Sequence, residues 1–199
     1  MARTEVMLSV RGATLTDDSA GSAIAQVVRE VTTDTTDPQL AQFVAKFDDS
    51  TDEHLFWQFR IPGNYRSSQE SGHPKLHVQF YMDVDQADDE KAVRFQAAVL
   101  SVSPRGENGE PVGHSDEMTS LDISNDGEGW VAGTALLDHA NPATKGRLYQ
   151  ISIGLEGYMG NTSGGDYVII GVGRDADHGS DTGTGDACVV AVSFEYTVG

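Results

Sequence analysis

At 199 residues the chain fits one domain, with room for an extra arm, and it is long enough to bury a real core. Its formal net charge is −18, with 31 acidic residues against 13 lysines and arginines. Such a surface repels phosphate and excludes direct nucleic-acid contact, and it suits either a saline setting or an ordinary acidic protein. No apolar run approaches the roughly 20 residues that cross a bilayer, so no membrane association is expected, and the opening "MARTEVMLSV" lacks the shape of a signal peptide.

Residues 1–53 read as an N-terminal arm and extension. "TEVMLSV" alternates, with Val6, Leu8 and Val10 on one face. The small polar "RGATLTDDSAGSA" reads as a linker. "IAQVVREV" and "LAQFVAKF" are short apolar segments separated by a turn. The second fits two templates: Leu40, Phe43, Val44 and Phe47 make a helix face, and the same run suits a strand.

From residue 54 strand follows strand. Leu55, Trp57, Phe59 and Ile61 share a face in "HLFWQFRI", as do Leu76, Val78, Phe80 and Met82 in "KLHVQFYM". Val93, Phe95, Ala97 and Val99 align in a long strand. A weak "MTSLDI" and "GWVAGTALL" follow, then "RLYQISIGL" with Tyr149, Ile151 and Ile153 aligned. "DYVIIGVGR" is apolar on both phases, as a strand covered on both faces would be. In "ACVVAVSFEYTV" strict alternation puts Cys188, Val190, Val192, Phe194, Tyr196 and Val198 on one face. Eight alternating strands over residues 54–199 with no convincing helix predict an all-β, antiparallel jelly-roll sandwich with an N-terminal extension. An immunoglobulin-like sandwich is disfavoured by the strand count and the absence of a cysteine pair.

The loop "GRDADHGSDTGTGDA" holds Asp175, Asp177, Asp181 and Asp186. Asp175 and Asp177 fit the first and third positions of a calcium loop. Gly179, Ser180 and Asp186 fail the fifth, sixth and twelfth. A long hairpin loop is the better reading, with a weak cation site left open. "DVDQADDE", with Asp83, Asp85, Asp88, Asp89 and Glu90, offers the same choice. Arg174, at the end of an apolar strand, is expected in a structural ion pair, with substrate binding as the lesser option.

His54, His73, His77, His114, His139 and His178 show no zinc spacing, and no serine-hydrolase or phosphate-loop motif is present. The sole cysteine, Cys188, reads as a buried structural thiol. No catalytic residue, metal ligand or cofactor is therefore assigned, and an enzyme is not expected. Trp57 reads as core, which leaves Trp130 as the better of the two candidates for an exposed aromatic platform.

"HLFWQFRIPGNYRSSQESGHPKLHVQFYM", "KAVRFQAAVLSVSP" and the ending "DYVIIGVGRDADHGSDTGTGDACVVAVSFEY" together resemble the jelly-roll decoration or cement proteins of tailed bacteriophages. The resemblance covers residues 54–199 and is one of pattern, without a short diagnostic motif. It implies a protein of the outer capsid surface of the virion, a homotrimer bridging capsomers, with the major capsid protein as partner. An arm reaching a neighbour would place Val6, Leu8 and Val10 at the contact. The same sandwich also serves as a carbohydrate- or receptor-binding module, such as the head of a tail fibre.

Overall fold

The computed structural model describes residues 2–13, 23–31, 41–66, 74–87, 91–102, 131–136, 144–155, 159 and 162–198. Over these the chain is built from strands, with one short 3-10 turn at Val10–Gly12. The strands in chain order are β1 (Ala2–Leu8), β2 (Ala23–Ile24), β3 (Gln26–Val31), β4 (Ala41–Phe47), β5 (Glu53–Arg60) and β6 (Tyr65–Arg66). They continue as β7 (Lys75–Met82), β8 (Ala92–Val102), β9 (Val131–Leu136), β10 (Tyr149–Gly154), β11 (Tyr167–Arg174) and β12 (Ala187–Val198).

Two sheets form a sandwich. One runs β10–β7–β12–β4–β3, with β1 and β6 also paired to β12, and the other runs β2–β5–β11–β8–β9. All pairings are antiparallel except β2 with β5. The inner eight strands give β4–β12–β7–β10 against β5–β11–β8–β9, and the chain crosses between sheets at almost every step. This is the expected jelly roll.

The alternating faces set the core. Leu76, Val78, Phe80 and Met82 of β7 meet Leu55 and Trp57 of β5 and Val93, Phe95, Ala97 and Val99 of β8. Phe95 is its aromatic hub: its ring centre lies 5.0 Å from that of Phe80 and 5.8 Å from that of Phe47, both edge-on. Each such ring removed from water stabilises the fold by about 1.5–3 kcal/mol.

Two local readings differ from the structure, and one left open between helix and strand is a strand. Residues 1–53 are not a detached arm: β1 runs along β12 from Ala2↔Val198 to Leu8↔Val192, and β4 is the first of the eight roll strands. The division at residue 53/54 therefore falls inside the roll. The helix-like spacing in "LAQFVAKF" is a coincidence of a short run in which Ala45 and Phe47 face the core and Val44 is buried on the other side. In β12 the alternation breaks: Ala187 and Val189 join the core, then Val192, Phe194 and Tyr196. The register against β7 shifts between Val189 and Ala191, so Val190 is a bulge. Cys188 consequently sits on the outer phase, opposite Tyr81 and Lys46. "MTSLDI" lies outside the described residues.

Candidate functional site

The outer face of the β10–β7–β12–β4–β3 sheet is hollowed at the bulge. The half-exposed side chain of Val190 forms the floor of a groove of about 530 Å³, walled by Glu30 and Val31 of β3, Gln42 of β4, Tyr81 of β7, and Gly146 and Leu148 ahead of β10. Tyr81 belongs here because "KLHVQFYM" puts its apolar phase inward, leaving this aromatic on the outer phase.

Tyr81 is held in place. Its hydroxyl donates to the Glu30 carboxylate, and Lys46 Nζ lies 3.3 Å from Glu30 Oε1 and 3.6 Å from Asp83 Oδ2. Burial, followed by the hydrogen bond to Glu30, pushes the phenol pKa up. Beneath this cluster Cys188 is wholly buried, and burial pushes its thiol up to about 12, so it stays protonated at neutral pH. It is a structural thiol, although on the phase opposite to the one expected.

Polar cross-strand pairs extend the same face. Gln79 Nε2 donates to Gln150 Oε1 at 2.9 Å, and His77 Nδ1 lies 2.7 Å from Ser152 Oγ. His77 Nε2 is 3.4 Å from Glu195. Amides, hydroxyls, one phenol and an aliphatic floor bind by hydrogen bonding and flat apolar contact.

The Asp-rich loop at the end of the roll is rigidly tied. Arg174 is wholly buried and uses all five N–H donors. Nε and Nη2 grip the two Asp181 oxygens at 3.0 and 2.9 Å, and the remaining donors reach the carbonyls of Phe47, Gly183 and Gly185. Gln86 forms a two-way amide pair with the Thr184 backbone, 2.9 Å each way. The structural ion pair expected of Arg174 is present, and its full burial leaves no face for a substrate.

The four loop aspartates do not converge. Asp181 is taken by Arg174, and Asp186 lies beside Asp83. Asp175 and Asp177 gather with Asp52, their oxygens within 4.8 Å of one another. However, Asp175 already accepts from Arg94 Nε at 2.5 Å, and Asp52 accepts from the Ala176 N–H at 2.8 Å. In the other acidic loop Asp83 and Asp85 act as backbone acceptors, while Asp88, Asp89 and Glu90 lie outside the described residues.

Val6, Leu8 and Val10, expected at a partner contact, face inward. Leu8 and Val10 are 6 % and 4 % exposed within the core cluster, and Val6 packs against it. Trp57 is core, and its indole Nε1 donates to Ser9 O at 2.8 Å. His54 is buried, which lowers its pKa, and His178 Nδ1 accepts from Ser180 N. Trp130, His73, His114 and His139 lie outside the described residues. The groove residues Glu30, Gln42, Tyr81 and Val190 were missed, because no sequence motif joins them. The aromatic on the polar phase of β7 was the one available signal.

No protein-family model matches this chain, and no curated protein matches it. Among solved structures it is similar to the carbohydrate-binding module TmCBM27, described for specific mannan recognition, at 14 % identity and TM-score 0.40, covering 98 % of this chain and 99 % of that one. A carbohydrate-binding module of the β-sandwich superfamily matches at 11 % identity and TM-score 0.37, over 96 % of this chain and 56 % of that one. A latent aurone synthase, a polyphenol oxidase, matches at 15 % and 0.33, over 73 % and 25 %. At these scores the likenesses carry no functional argument.

Proposed function

We propose that the chain is a non-catalytic module that binds carbohydrate in the groove over Val190. The observation that carries this reading is the pairing of the Tyr81 ring with the Gln42 amide across an aliphatic floor. Sugar rings present a flat C–H face to an aromatic and hydroxyls to amides, and this wall offers both. The groove volume lies in the range of small-ligand sites. A glycan array followed by calorimetry tests the reading. Tyr81→Ala and Gln42→Ala should each weaken binding of any hit by about five- to thirtyfold, the scale of one aromatic or hydrogen-bonded contact. Binding unchanged in both variants would move the site off this face. No glycan bound at all would end the reading.

A second reading, capsid decoration, is favoured by the exposed Val27 and Val31 on β3, which is paired only with β4 among the described residues. An open edge of this kind accepts a strand from a neighbouring chain. Absence of the protein from purified virions by mass spectrometry would sink it.

A further inference from the structure

The groove has a neighbour. A second hollow of about 380 Å³ shares Gln42 and Val190 with the first and lies between Met7–Arg11 and Phe43, with Ala191 also in its lining. This notch exists because β12 changes partners: β4 pairs with it as far as Val189, and β1 begins at Val192. Arg11 stands at this end with its guanidinium carbon 4.4 Å from the centre of the Phe43 ring. Arg11 is exposed, so its guanidinium, seated against the ring, keeps N–H donors for a planar two-oxygen acceptor.

Charge decides what that acceptor is. Among the described residues, Glu30 and Arg11 are the charged ones lining the two hollows. Glu30 is matched by Lys46 at 3.3 Å and by the Tyr81 hydroxyl. No carboxylate is paired with Arg11 among the described residues. Among the described residues these hollows therefore hold one positive charge without a paired carboxylate, in a chain of net charge −18. A neutral ligand leaves that charge unused, and a carboxylate satisfies it.

Resting on the carbohydrate reading above, we infer that the ligand is an acidic glycan, with a uronic acid carboxylate received by Arg11 and the adjoining sugar on Tyr81 and Gln42. The test is calorimetry on the full chain with uronate oligomers (galacturonate, mannuronate and glucuronate-substituted xylan), each against its own methyl ester, and with a sulfated oligomer of the same length. At least one acid binds about fivefold tighter than its ester, the scale of one partly exposed charge-assisted contact. Arg11→Gln abolishes the difference between acid and ester. An acid-to-ester ratio near one, or a preference surviving Arg11→Gln, overturns the inference while neutral-glycan binding keeps the underlying reading. Tighter binding of the sulfated oligomer overturns the carboxylate assignment. No glycan bound by the parent chain overturns both readings.

Discussion

Asp181→Ala is the most discriminating perturbation of the fold. The Arg174 and Asp181 side chains are 0 % and 1 % exposed, so no water replaces a lost partner. Removing the carboxylate strands the Arg174 Nε donor, one Nη2 donor and the Arg94 backbone N–H, which donates to Asp181 Oδ2 at 3.0 Å. It also leaves a buried charge uncompensated. A broken buried pair costs about 3–5 kcal/mol. For a chain of this size that is a fall in Tm of about 6–20 °C. Asp181→Asn keeps one acceptor and should fall less. Arg174→Met removes the charge but strands the Phe47, Gly183 and Gly185 carbonyls and the Asp181 carboxylate, so it should cost as much as Asp181→Ala. Urea unfolding with an unchanged m-value reads these losses directly. A loss below about 1 kcal/mol for Asp181→Ala would show that the grip is not closed in solution, and the rigid-loop account would fall with it.

Three further outcomes are expected. Gly185→Ala should cost about 1–3 kcal/mol by urea unfolding, because Gly185 sits at φ +77° and a Cβ there would lie 2.5 Å from Val84 Cγ2 and 2.8 Å from Asp83 Oδ1. Asp186 has its pKa raised, first by burial and then by Asp83; the native state thus holds this proton more tightly than the unfolded chain, and stability falls as pH rises through that range. Asp186→Asn should therefore raise Tm at neutral pH, with the gain closing in acid; a gain that grows on acidification would reverse the sign. Deleting Val190 should leave a soluble protein with the parent's circular dichroism, since it restores two-residue spacing between Val189 and Val192 and a continuous register against β7, whereas an unfolded product would refute the reading of Val190 as an inserted residue.

The roll was legible wherever a strand kept one phase along its whole length. β5, β7, β8 and β10 did so, and their core faces match the alternation residue by residue. Reading failed where a single irregularity carried the information. In β12 the core spacing changes from two to three between Val189 and Val192, and a run of Val, Ala and Cys gives no sign of that change because each fits either face. In β4 seven residues were too few to separate two periods. The groove was harder still: Glu30, Gln42, Tyr81 and Val190 come from four strands that become neighbours only through the roll's crossovers. The Asp-rich loop lay between, since its turn character was readable from Gly and Asp while the grip by Arg174 needed the carbonyls of Phe47 and Gly185 in place.

The same bulge that defeats the alternation also makes the site. At the register it starts with, β4 could pair with β12 from Ala187 no further than Ser193. Pairing with β4 stops at Val189, beside the bulge at Val190, and β1 takes over from Val192. Between the two partners the sheet has a notch, floored by Val190 and Ala191 and walled by Gln42, Phe43 and Arg11. Insertion of one residue thus turns a continuous surface into a groove. The rest of the roll must be stiff for that groove to keep its shape, and the core behind it supplies this: Val189 and Val192, on either side of the bulge, are wholly buried. A ligand meeting Tyr81 and Arg11 together therefore meets two contacts fixed relative to one another, so little ordering is needed on binding. On that argument, loosening β1 from β12 should weaken binding at the Arg11 end before the Tyr81 end.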